Sequence, residues 1–105
     1  MNILFVCNAG INRSRTAAEL WKKTYPKDSV KYIGIINLDK PDLLHWAGKI
    51  VCFEERIKKL VLEKVFDDIK IWQKIEVWKI PDIYNYVGPE LVRIIEGKIL
   101  EKGKK

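Results

Sequence analysis

Cys7, Arg13 and Ser14 follow the order Cys, five residues, Arg, Ser within the first fourteen positions of a 105-residue chain. Between them lie Asn8, Ala9, Gly10, Ile11 and Asn12. The pattern suits chemistry on a tetrahedral dianion. A tight loop that runs into a helix turns several backbone N–H groups inward, and the helix start adds partial positive charge. Gly10 has no Cβ and lets such a loop take the conformations this needs. Arg13 can grip two phosphate oxygens at once, which lysine cannot. Asn8, Ala9, Gly10, Ile11, Asn12 and Arg13 together form the expected phosphate cradle. The same positive field favours the thiolate of Cys7, and the Ser14 hydroxyl can donate a hydrogen bond to it. A thiolate facing the phosphorus of a cradled ester is placed for in-line attack, with a phosphocysteine as the intermediate. Loop N–H groups and Arg13 then carry the extra charge on the equatorial oxygens.

The leaving alcohol needs a proton. With a single histidine in the chain, a carboxylic acid is the expected donor. Asp82 is the best candidate, after Pro81 at the end of a predicted strand. The same carboxylate could next activate water against the phosphocysteine. Strand order decides whether Asp82 faces the loop, and the sequence leaves that open. Tyr84 and Tyr86 are candidate pocket walls for an aryl phosphate, with plain packing as the alternative. Asp39, Asp42, Asp67 and Asp68 read as turns and caps. His45, beside Trp46, reads as structural. Trp72 and Trp78 read as core or rim.

These residues need a frame to bring them together. Asn2 to Cys7 is an apolar run bounded by a polar cluster and predicts a buried parallel strand. From Ser14 the period becomes helical, with Ala17, Leu20, Trp21 and Tyr25 on one face, and Pro26 stops it. Val30 to Ile36 predicts a second strand and Asn37 to Lys40 a turn. Pro41 suits the start of a short helix carrying Leu43, Leu44 and Ala47. Lys49 to Phe53 is a third strand, followed by a helix with Ile57, Leu60, Val61 and Val65 inward. Ile75 to Ile80 is a fourth strand. Gly88-Pro89-Glu90 opens a last helix with Leu91, Val92, Ile95 and Ile99 inward. Strands alternating with helices predict an α/β fold on a parallel sheet, where ligands bind beyond the carboxyl ends of the strands. Two polar clusters fall at such ends: residues 7 to 14 and residues 82 to 86.

Composition narrows the classes. One domain spanning 1–105 is expected, with about 101–105 as a frayed tail. The chain is 48% hydrophobic and 32% charged, which excludes a disordered or collagen-like polymer. No apolar run approaches the ~20 residues of a membrane span. The run Ile3 to Val6 is too short for a signal-peptide core, so a cytoplasmic location is expected, with no membrane partner. Two cysteines argue against a zinc site or a disulfide framework. No metal and no cofactor are expected. Net charge is +6, which fits an anionic partner. Lys58, Lys59 and Lys64 lack interleaved aromatics and read as a solvated face, so nucleic acid is not expected. Cys52, in a predicted central strand, reads as a buried inert thiol, with a resolving cysteine as the sharper alternative. Oligomeric state is left open.

The chain resembles the short forms of the low-molecular-weight protein tyrosine phosphatases. Strand-Cys-x5-Arg-Ser within fourteen residues is their opening. Ile80-Pro81-Asp82-Ile83-Tyr84 resembles their general-acid loop. Leu43-Leu44-His45-Trp46-Ala47 and Gly88-Pro89-Glu90-Leu91-Val92 also match patterns of the short forms. The resemblance implies a three-layer sandwich around a four-stranded parallel sheet in the order 2-1-3-4. It also implies metal-free hydrolysis of phosphomonoesters, most of all phosphotyrosine in proteins or a small aryl phosphate. Cys7, Arg13 and Asp82 would be catalytic. The sequence departs from the family pattern in places. A segment around Asn37 to Pro41, part of the substrate rim, is shortened. Arg15 stands where Pro usually follows, Ala18 where Glu is usual, and Asn12 where many members carry a second cysteine. The loop also has the form seen in dual-specificity phosphatases, but only six residues precede Cys7, so that fold cannot be built around it. Three rival readings share the loop: a sugar phosphotransferase carrier with a stable phosphocysteine, an arsenate reductase, and a non-catalytic phosphate-binding module.

Overall fold

All four apolar runs pair as parallel strands in a computed structural model that describes residues 1–8, 13–38, 41–65, 68–80 and 88–102. Strands β1 (Asn2–Cys7), β2 (Ser29–Gly34), β3 (Lys49–Cys52) and β4 (Ile75–Val77) lie in the order β2-β1-β3-β4. The order implied by the family resemblance is therefore correct. In register, Phe5 sits between Tyr32 and Val51, and Val6 between Ile33 and Cys52. Among the described residues, five helices connect and flank the strands: α1 (Arg13–Thr24), α2 (Asp42–Trp46), α3 (Glu55–Lys64), α4 (Ile69–Trp72) and α5 (Pro89–Lys102).

The chain crosses the sheet in one direction from β1 to β2 and in the other from β3 to β4. Right-handed crossovers then place α1 and α3 on opposite faces. Accordingly α1 packs on β1, β2 and α5, while α3 packs on β3, β4 and the 3-10 turn at Ile35–Asn37. The result is a three-layer sandwich. The reversal of direction between β1 and β3 opens a crevice at their carboxyl ends.

Ile3 to Val6 are fully buried, as a strand covered on both faces requires. On the α1 face, Phe5 anchors an aromatic cluster. Its ring centroid lies 6.1 Å from those of Trp21 and Phe53 and 5.5 Å from that of Trp78. Trp78 is thus core, whereas Trp72 is partly exposed and donates its indole N–H to the Val65 carbonyl. Helix α5 buries Leu91, Ile95 and Ile99 at four-residue spacing, and Val92 only partly. Among the described residues, no helix is long and apolar enough to cross a membrane.

Besides one-residue shifts at element ends, three boundaries and one helix differ from the sequence expectation. β2 ends at Gly34, because Ile35–Asn37 wind into a 3-10 turn. The ladder of β4 ends at Val77 rather than Ile80. Trp78 N still bonds Cys52 O at 2.8 Å, but Ile80 N turns back to Trp78 O at 2.7 Å, a three-residue turn typical of strand ends, and keeps only a longer bond to Phe53 O at 3.2 Å. Helix α4 was not expected. Four residues carry too little period to show in a sequence, and Asp68 makes the helix by accepting from Lys70 N and Ile71 N. Asp68 is a cap, as its residue type predicts, and Asp42 lies in the first turn of α2; Asp39 and Asp67 lie outside the described residues. Finally, α5 continues through Lys102, into the stretch expected to fray.

Candidate active site

Cys7 is the last residue of β1, and Ser14 lies in the first turn of α1. Both are buried, and Cys7 Sγ stands 3.0 Å from Ser14 Oγ. Side chains alternate across a strand, so Cys7 shares the α1 face with Phe5. That alternation aims the sulfur toward the start of α1. At this distance the serine hydroxyl can donate to a thiolate.

Arg13 opens α1 and is only 1% exposed. Burying a guanidinium is costly unless a carboxylate and good acceptors meet it. Two acceptors do so at one nitrogen. Nη1 donates to Glu54 Oε2 at 2.9 Å and to the Ile80 carbonyl at 2.8 Å. The guanidinium carbon also lies 5.8 Å from the Phe53 ring centroid. The end of β3 and the exit of β4 therefore hold the back of Arg13. Bidentate binding would use the other edge of the guanidinium, Nε–H with Nη2–H.

Sequence reasoning missed Glu54. It precedes α3 in extended conformation and reads as an ordinary acid at a helix start. One signal was available. Phe53-Glu54 falls at the carboxyl end of the third strand, and in a parallel α/β sheet every such end is a candidate site. Arg56 was missed as well. Its Nη2 lies 3.4 Å from Asn8 Oδ1 and 3.8 Å from Glu54 Oε2. A hollow of about 290 Å³ beside this cluster is lined by Phe53, Glu54, Glu55, Lys79 and Ile80.

Cys52 has a different setting. It stands opposite Val6 in register, so its side chain leaves the face opposite to that of Cys7. Bringing the two sulfurs together would require a register slip. Burial is the main reason the Cys52 thiol is pushed up to about 12; Glu55 adds to the shift and Lys58 opposes it. This is the inert buried thiol of the sequence reading, and its geometry argues against a resolving role.

His45 is half exposed and lies 3.9 Å from Asp68 Oδ2, tying α2 to α4. Of the expected cradle, Asn8 and Arg13 are described. Ala9, Gly10, Ile11 and Asn12 lie outside the described residues, as do Asp82, Tyr84 and Tyr86. The described chain resumes at Gly88.

No protein-family model matches the sequence, and comparison with curated proteins finds no match. Solved structures do match over nearly the whole chain. The tyrosine phosphatase Wzb from Escherichia coli K30, solved with phosphate, superposes with a TM-score of 0.77 at 15% identity, covering 99% of this chain and 98% of that one. The low-molecular-weight protein tyrosine phosphatase of Streptococcus pyogenes gives 0.73 at 12% identity, covering 96% and 92%. The YwlE arginine phosphatase of Geobacillus stearothermophilus gives 0.62 at 19% identity, covering 96% of each chain. The fold is the one these phosphatases share.

Proposed function

We propose that this chain, built on the low-molecular-weight tyrosine phosphatase fold, is a cysteine-dependent phosphatase that hydrolyses phosphomonoesters, foremost phosphotyrosine in proteins. The observation that carries the reading is one cluster at the carboxyl end of the sheet. There Cys7 Sγ meets Ser14 Oγ at 3.0 Å, beside a buried Arg13 whose Nη1 is fixed by Glu54 and Ile80. That constellation supplies a nucleophile, a donor that stabilises its anion, and a preset cation. These are the parts that phosphoryl transfer needs, since its catalysis is mostly positioning and charge stabilisation.

In the proposed sequence the Cys7 thiolate attacks phosphorus and the bond to the ester oxygen breaks. The leaving oxygen takes a proton from Asp82. Water then attacks the phosphocysteine, Asp82 takes up its proton, the P–S bond breaks, and phosphate leaves with Cys7 again a thiolate. Ser14 donates to the sulfur in both resting and leaving states. The backbone N–H groups of residues 8 to 12 and the Nε–Nη2 edge of Arg13 hold the equatorial oxygens. Support for Asp82 is one of reach. The Ile80 carbonyl is 2.8 Å from Arg13, and two further residues extend the chain by at most about 7 Å. Tyr84 and Tyr86 follow as walls for an aromatic leaving group. The chain acts in this reading as one domain, in the cytoplasm, without a metal.

The phosphocarrier reading assigns no task to a buried Arg13 or to an acid at position 82. The arsenate reductase reading needs a thiol that can reach Cys7, and Cys52 points from the opposite face. The test is hydrolysis of para-nitrophenyl phosphate at mildly acidic pH by the natural protein and by Cys7→Ser. Turnover that disappears in the variant is the expected result. Turnover retained by the variant, or none in the natural protein at any pH, would end the reading.

A further inference from the structure

Two arginines converge on one carboxylate oxygen at the mouth of this site, and they are unlike. Arg13 is 1% exposed and bonds Glu54 Oε2 at 2.9 Å. The side chain of Arg56, in the first turn of α3, is 56% exposed and reaches the same oxygen only at 3.8 Å. Its contact with Asn8 Oδ1 is also long, at 3.4 Å. Long contacts between exposed groups contribute little to stability. Glu54 is already committed to the shorter bond. Among the described residues, Nε and Nη1 of Arg56 have no partner. The protein thus tethers Arg56 by one nitrogen and leaves the rest of its donor fork toward solvent.

The contact with Asn8 shows where that fork sits. Asn8 is the residue directly after Cys7, so Arg56 stands on the rim beside the nucleophile and not on a remote surface. A protein substrate that inserts a phosphorylated side chain must lay its flanking residues over this rim. The local charge makes the choice of flank specific. Glu54 is neutralised from inside by Arg13, and Glu55 is exposed at the start of α3. A guanidinium fork there matches a carboxylate in shape and charge.

We infer that Arg56 is a specificity-determining residue that binds an aspartate or glutamate next to the phosphorylated residue of a peptide substrate. The inference rests on the phosphatase reading above and adds to it the class of substrate, an acidic phosphopeptide. Because an exposed ion pair is modest in strength, its signature is a ratio between substrates, entered through KM and sensitive to salt.

The test compares two phosphotyrosine peptides, one flanked by aspartate and its twin by asparagine, with para-nitrophenyl phosphate as a third substrate. The natural protein is expected to favour the acidic peptide about three- to fivefold in kcat/KM. Arg56→Gln should bring that ratio to about one, Arg56→Glu should invert it, and about 0.5 M salt should erase it in the natural protein. No preference in the natural protein, or a preference that survives Arg56→Glu, overturns the inference. So does an equal fall in kcat on both peptides in Arg56→Gln, which would make Arg56 a support for Glu54. Turnover of para-nitrophenyl phosphate with neither peptide accepted overturns it and leaves the phosphatase reading standing. A natural protein inert toward all three substrates overturns the phosphatase reading itself.

Discussion

Helix α1 meets a carboxylate at both of its ends, and the two meetings are built differently. At its last turns, near the amino ends of the strands, Trp21 Nε1 donates to Asp28 Oδ2 at 2.8 Å. Asp28 Oδ1 takes the N-terminal ammonium at 3.2 Å, and Lys22 Nζ bonds the Pro26 and Asp28 carbonyls. The side-chain bonds from α1 here span no more than seven residues of sequence. At its first turn, near the carboxyl ends, Arg13 reaches Glu54 and Ile80, 41 and 67 residues away. The local network closes a helix–strand turn. The distant one brings three strand ends to one point, and only that end holds a thiol beside a hydroxyl. A polar cluster that gathers distant strand ends does something folding alone does not require.

The largest expected effect that sharpens this contrast is at Arg13. Arg13→Lys keeps a positive charge but loses the fork, so kcat/KM on para-nitrophenyl phosphate should fall about 10³-fold. A fall of under tenfold would mean that Arg13 is only a buried strut. Glu54→Gln is expected to cost less, about ten- to a hundredfold, because it loosens Arg13 without removing it. Its inorganic phosphate affinity should drop in parallel, and unchanged affinity would separate Glu54 from the site.

At the other end, Asp28→Ala should lower stability by about 1–2 kcal/mol and leave kcat/KM within about twofold. The indole N–H of Trp21, foremost, holds the Asp28 carboxyl below its ordinary value of 3.8. A depressed folded-state pKa stabilises the fold above the unfolded value, and that contribution disappears as pH falls through the folded one. Natural protein and Asp28→Ala should therefore converge in melting temperature as pH drops below about 4. A gap that persists in strong acid would contradict this.

The smallest effect on activity is expected at Cys52. It should resist alkylation at neutral pH while Cys7 reacts, and Cys52→Ala should keep full turnover. Its folded-state value of about 12 lies above the ordinary 9.0. Its contribution is thus complete below that ordinary value and is lost as pH rises toward 12. Melting curves taken from neutral to alkaline pH, with Cys52→Ala as reference, check the sign.

The same contrast explains how much could be read from the sequence. Cys7, Arg13 and Ser14 were legible because eight consecutive residues, from a strand end to a helix start, carry their spacing. The parallel sheet was legible because buried strands and amphipathic helices differ in period. Glu54 was not, since nothing local marks one glutamate at a helix start as the partner of an arginine 41 positions earlier. The end of β4 was also hidden. Trp78 and Ile80 are as apolar as a strand continuing would be, and the ladder ends where Ile80 N turns back to Trp78 O and bonds Phe53 O out of step with the bond from Trp78 N to Cys52 O. One-turn α4 hangs on a single capping aspartate, too little pattern to separate from a loop.

The most direct test of the central claim is to quench Asp82→Asn during turnover of para-nitrophenyl phosphate and locate the phosphoryl group by peptide mass. If Asp82 activates the water as proposed, the variant should accumulate a phosphoryl group on Cys7 and on no other residue. A phosphoryl group on Ser14 or Cys52, or rapid turnover with none trapped anywhere, would contradict a phosphocysteine mechanism centred on Cys7.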